Sequence, residues 1–149
     1  MTAVDHYGLC EAAAMEKLRS LSAFSTNPKQ VSTDIGDLKK GFRYFAHFIP
    51  STFATSRVDG HDKQIVWNIL FDLHVRYSTQ AESVPLFKAI RAEVIALYNS
   101  DPWLNKTPGV SNVAISAASE VLQDLPGNNP NFIIQTMGLA VSQRVRFAF

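Results

Sequence analysis

Asp72, His74 and Arg76 alternate within QIVWNILFDLHVRYS, residues 64–78. On an extended strand, side chains two apart stand on the same face, so these three are expected to be neighbours. A carboxylate beside an imidazole is the arrangement of an oriented general base. The same residues also read as a solvated ladder whose charges balance. No G-x-S-x-G elbow, phosphate-binding P-loop or G-x-G-x-x-G turn accompanies them. Enzymatic activity is therefore not expected.

Metal chemistry is weakly provided for. A zinc site gathers three or four ligands, usually with tight local spacing. His6, His47, His61 and His74 are scattered, and Cys10 is the one cysteine. The tightest polar group, Asp59-Gly60-His61-Asp62, reads as a polar hairpin turn. No metal or cofactor is expected. Cys10 cannot form an internal disulfide and has no cationic neighbour at helical spacing, so it reads as a small buried thiol.

Arg144 and Arg146 also alternate, and with Arg76 they would form a modest basic strip. A solvated face or an intersubunit ion pair is the expectation, with phosphate contact as the alternative. Lys plus Arg is 14 against 13 for Asp plus Glu, a formal charge of +1. Non-specific nucleic-acid binders normally carry a basic excess.

These residues need elements to hold them. The chain has 149 residues, 46% of them hydrophobic, which fits one globular domain with its own core. No apolar run approaches the ~20 residues of a membrane span. The first residues, MTAVDHYGLCEAAAM, lack a basic region, so no signal peptide is expected and synthesis in the cytoplasm is.

Helix formers predict a helix over 3–24, with Tyr7, Ala14, Leu18 and Leu21 on one face. Residues 25–41 are polar and read as a long loop with one short strand or turn; loops of this length are often functional. Residues 42–57 predict a Phe-rich strand, which Pro50 confines to an edge or bends. Asp59-Gly60 predicts a hairpin into the 64–78 strand. That strand is apolar at Ile65, Trp67, Ile69, Phe71, Leu73, Val75 and Tyr77. A second helix is expected over 82–99, with Val84, Phe87, Ile90, Val94 and Leu97 as its stripe, Ser83 as cap and Pro85 in the first turn. Strands follow over 113–125 and 132–149. The order α-β-β-α-β-β implies an α+β two-layer domain: a mainly antiparallel four-stranded sheet with two helices.

The Phe-rich strand is apolar on both faces: Phe42, Tyr44, Ala46 and Phe48 on one, Phe45 and Ile49 on the other. An edge strand of this kind is an aggregation hazard unless covered. Either the first helix or a neighbouring subunit is expected to cover it. Phe42, Tyr44, Phe45 and Phe48 are thus the candidate subunit interface.

The layout resembles the tail-terminator (tail-completion) proteins of long-tailed bacteriophages and their neck relatives. The resemblance runs through the N-terminal helix, IVWNILFDLHVRY, SVPLFKAIRAEVIALYNSDPWL, TPGVSNVAI leading into a strand, and a last hairpin closing on NFIIQTMGLAVSQRVRF. It covers roughly 60–149 best. It implies a structural ring of the virion, typically a hexamer of this chain. One face would dock on the last ring of tail-tube protein and stop its growth. The other would receive the head-side connector protein, with DNA passing through the lumen only as cargo. In that setting Asp72, His74, Arg76, Arg144 and Arg146 would line the lumen or an intersubunit seam, and the 25–41 loop would order on docking.

Other readings predict other properties. A head-tail connector or stopper would differ in its partner. A small enzyme would use the Asp72/His74 face and present a pocket there. A nucleic-acid-binding α+β module would expose aromatic rings for stacking and bind in a salt-sensitive way.

Overall fold

The computed structural model describes residues 5–25, 27–33, 42–49, 54–59, 62–123 and 132–146. Helix α1 spans His6–Arg19, α2 Gln80–Asn99, and strands β1 Val31–Ser32, β2 Tyr44–Ile49, β3 Ala54–Asp59, β4 Asp62–Arg76, β5 Val110–Ala117, β6 Leu122–Gln123 and β7 Phe132–Arg146. A single 3-10 turn, Pro28–Gln30, precedes β1.

Across the sheet the order is β1-β2-β4-β7-β5, with β3 also paired to β4 and β6 to β7. All pairs are antiparallel except β1 with β2. The fold is therefore the expected α+β class, with a wider sheet than four strands. The extra strands come from two expected strands each split in two, β2/β3 and β5/β6, and from β1, the short strand within 25–41; β1 and β6 have two residues each. Hydrophobic periodicity has nothing to register in so short a strand.

The frame is the β4–β7 pair. Each strand has 15 residues, or about 50 Å at ~3.3 Å per residue. β2 and β3 share the outer edge of β4: Ile49 pairs with Leu70 and Ala54 with Trp67. They are one expected strand interrupted after Ile49, where Pro50 follows and withholds a ladder donor. Asp59 pairs with Asp62, so two positions form the hairpin link, as Asp-Gly predicts.

The odd-numbered face of β4 carries the core. Ile69, Phe71, Leu73 and Val75 are fully buried there, beside Met137, Leu139 and Val141 of β7. Above them pack Cys10, Ala14 and Leu18 of α1 and Phe87, Ile90, Val94 and Tyr98 of α2. Tyr98 donates its hydroxyl to the Ala14 carbonyl at 2.6 Å, tying the helices together. Burial pushes its phenol pKa upward.

The helix ends differ from expectation for local reasons. Asp5 caps α1 by accepting the Gly8 N–H at 2.8 Å. The helix stops five residues early, where the Ser20 hydroxyl donates to the Lys17 carbonyl and competes with the ladder. The following turn delivers Phe24 into the core. Thr79, not Ser83, caps α2, its hydroxyl oxygen accepting the Glu82 N–H. Ser83 is buried and accepts the Ser78 N–H at 2.8 Å. Pro85 consequently lies in the second turn rather than the first. The strand expected over 113–125 starts at Val110 and breaks after Ala117. Past the break, the Ser119 hydroxyl accepts the Thr136 N–H at 3.0 Å in place of a backbone partner.

Candidate assembly face

The helices cover one face of the sheet. The opposite face is built by the even-numbered residues of β4 and β7, because the register pairs even with even. Along its middle run Val66, Asn68, Leu70 and Asp72, opposite Ser142, Ala140, Gly138 and Thr136. All eight are half-buried. Beyond them Asn112, Ala114 and Ser116 of β5 are exposed. The result is a shallow strip of small and medium side chains with mixed polarity. At its outer margin β5 pairs, among the described residues, only with β7, so its other edge presents backbone donors and acceptors.

One end of this face holds a second, smaller core. Phe45 and Phe132 are buried, with Phe42 and Ile134 packed against them. His74 completes it: its ring stacks on Phe45 at 4.4 Å and meets Phe132 edge-on at 5.6 Å. The Arg76 guanidinium lies over Phe132 at 5.5 Å, a cation–π contact.

This arrangement redirects the Asp72/His74 reading. His74 is 2% exposed, and its Nδ1 lies 3.3 Å from the backbone carbonyl of Asp72, not from the carboxylate. The Asp72 carboxylate instead accepts the Thr136 hydroxyl. The imidazole therefore serves as a flat ring in an aromatic cluster. Among the described residues, no group of three His, Cys, Asp or Glu is placed to hold a metal. His61 lies outside those residues.

The basic strip does not form. Antiparallel pairing sets Arg76 opposite Phe132 and Arg144 opposite Gln64. The two arginines thus stand about 40 Å apart along β4, at ~3.3 Å per residue. Arg144 is exposed. The backbone of Arg146 pairs with Asp62; its side chain lies outside the described residues.

The expected aromatic interface is also revised. Phe45 and Phe48 are both fully buried within a single chain. Phe48 faces the helices and stacks on Phe71 at 4.9 Å. Tyr44 shares that face, edge-on to Phe24. Phe42 precedes the strand, so alternation does not govern it, and it joins Phe45 instead of Tyr44. Of the four, Phe42 and Tyr44 keep some surface, each half-buried. The chain covers both faces of this strand itself, one with the helical layer and one with the His74 cluster.

Periodicity passes over Gln135 and Gln143, polar residues at core-facing positions of β7. Both are buried and bonded. Gln143 accepts the Trp67 indole N–H at 2.8 Å and donates to the Pro108 carbonyl at 2.9 Å. Gln135 accepts from Arg91 and donates to the Ser119 carbonyl, both at 3.1 Å. The signal available was a polar residue interrupting an apolar stripe, which implies a buried partner. Cys10 is buried as expected, and burial pushes its thiol up to about 11, which leaves little thiolate at neutral pH.

Past α2, the turn SDPWLNKTPG carries a second surface feature. Leu104, Asn105 and Lys106 have φ of 49, 56 and 59°, a left-handed run that costs roughly 1–2 kcal/mol per residue. Fully buried Leu104 anchors it. Asp101 accepts the Asn105 N–H at 2.7 Å and the Trp103 N–H at 3.2 Å, and pairs with Lys17 at 3.3 Å. The Asn105 bond first, and Lys17 after it, hold the Asp101 carboxyl below its ordinary range. Trp103 stands out from this turn, 59% exposed.

A search against protein-family models finds no match to this chain, and a search of curated proteins finds none either. Among the described residues, no helix is long and apolar enough to cross a membrane.

Proposed function

We infer that this chain is a structural assembly protein of a phage virion, similar to a tail terminator. It forms a ring on the end of the tail tube, stops tube growth and joins the tail to the head-side connector. The observation that carries the reading is the long β4–β7 plate: helices pack on one face, while the other keeps a half-open strip beside the exposed edge of β5. A plate of about 50 Å with one partly open face among the described residues suits lateral contact between copies better than enclosure of a small substrate. The layout resemblance in sequence supports the same reading. The placement of His74 between two phenyl rings counts against the enzyme alternative.

Negative-stain images of the purified protein test this directly. Closed hexameric rings with a central channel are expected. Open filaments or isolated particles at every concentration would contradict a heterologous contact that closes.

A further inference from the structure

The surface holds a knob and a groove at opposite ends of one rigid element. The knob is Trp103, just past the C-terminal end of α2. The groove, about 320 Å³, lies beside the first half of α2 and is lined by Val84, Phe87, Lys88, Arg91, Val121 and Ile133. The groove's α2 residues, Val84 to Arg91, lie 8 to 15 residues before the helix end at Asn99, about 12–22 Å along the axis at ~1.5 Å per residue. One chain cannot place its own Trp103 in its own groove.

We propose that Trp103 of one copy seats in this groove of the next, forming the head-to-tail contact of the ring. The proposal rests on the ring reading above and adds a contact made by residues outside the even-numbered strip. Four observations carry it. The groove floor is apolar and its volume admits a fused ring system. Its rim is cationic: Lys88 is exposed, and the Arg91 guanidinium already lies over the Phe87 ring at 5.4 Å. An arriving indole would place its electron-rich face against these cations, the favoured geometry for tryptophan. Beside the groove, Val121 and Leu122 are 46% and 58% exposed, which extends the apolar surface the contact would cover. The knob is pre-organised, because Leu104 and the Asp101 bonds hold its turn in a conformation the chain would not adopt by itself. A knob and groove on different parts of one surface generate a heterologous interface, the kind that closes into rings.

The test uses the whole chain. Trp103 is replaced by the photo-crosslinker p-benzoylphenylalanine, and unlabelled protein is mixed with a nitrogen-15-labelled copy before irradiation. Crosslinks between labelled and unlabelled chains are expected within 84–91 or at 121 and 133. In parallel, Trp103→Ala and Lys88→Glu, both at exposed positions, should keep the wild-type melting curve while native mass falls toward the single chain. Rings that persist in Trp103→Ala, or crosslinks that map elsewhere, overturn the knob contact and leave the ring reading standing. A wild-type chain that stays monomeric and gives no interchain crosslink overturns both.

Discussion

The two faces of the sheet are made by the same strands and have opposite characters. On the odd-numbered face of β4, Ile69, Phe71, Leu73 and Val75 are fully buried under the two helices. On the even-numbered face, Val66, Asn68, Leu70 and Asp72 keep part of their surface, and only the Phe45–His74–Phe132 cluster is closed. Strand period alone separates the two sets. One face is closed under the helices; the other, outside the Phe45–His74–Phe132 cluster, keeps part of its surface. Under the assembly reading proposed above, the strip should tolerate substitutions for stability while changing how copies associate.

The largest expected effect lies under the helices. Phe71→Ala should cost about 3–5 kcal/mol, as large-to-small changes in a packed core do, measured by urea denaturation. Phe45→Ala tests whether the small cluster is a second core. It should cost about 3 kcal/mol, the low end for a buried phenyl ring, and loosen His74, read from its ring proton shifts. A loss under about 0.5 kcal/mol, the size of ordinary surface effects, would show that the even face contributes nothing and erase the distinction drawn for that cluster. Tyr98→Phe removes the hydroxyl that α2 donates to the Ala14 carbonyl of α1 and should cost about 1–2 kcal/mol.

The smallest effect is a pH dependence at the Trp103 turn. The Asp101 carboxyl is depressed below its ordinary value of 3.8. A depressed acid contributes stability that is fully present above that value and fades as pH falls through its folded pKa. Trp103 fluorescence should therefore report loosening of the turn only in strong acid, and Asp101→Asn should flatten that change. An unchanged acid profile in Asp101→Asn would remove the carboxylate from the account of the turn.

Much of this frame was legible in residue pattern. Seven odd-numbered residues from Ile65 to Tyr77 announced the long strand and its buried face, and Pro50 announced the break between β2 and β3. The stripe from Phe87 through Ile90 to Val94 announced α2. What escaped has physical causes. β1, expected only as one short strand or turn somewhere in 25–41, is too short to show a period. Serine hydroxyls at 20 and 119 end elements by competing for backbone groups, which composition does not reveal. The site was less legible than the fold. Arg76, Arg144 and Arg146 share a parity, yet only pairing direction decides that Arg76 and Arg144 stand at opposite ends. Phe45 and Phe48 were recognisable as apolar, but what covers each depends on tertiary neighbours: Phe71 for one, His74 and Phe132 for the other. The left-handed turn behind Trp103 left no glycine at 104–106 to mark it.

The most direct test of the central claim compares wild type with Leu70→Glu, a charge placed on the even-numbered strip. Native mass is measured across a concentration range, with circular dichroism on the same samples. The account predicts a ring mass for wild type, a single-chain mass for Leu70→Glu, and matching folded spectra for both. A Leu70→Glu protein that assembles like wild type, or one that unfolds, would contradict the assignment of this face to assembly.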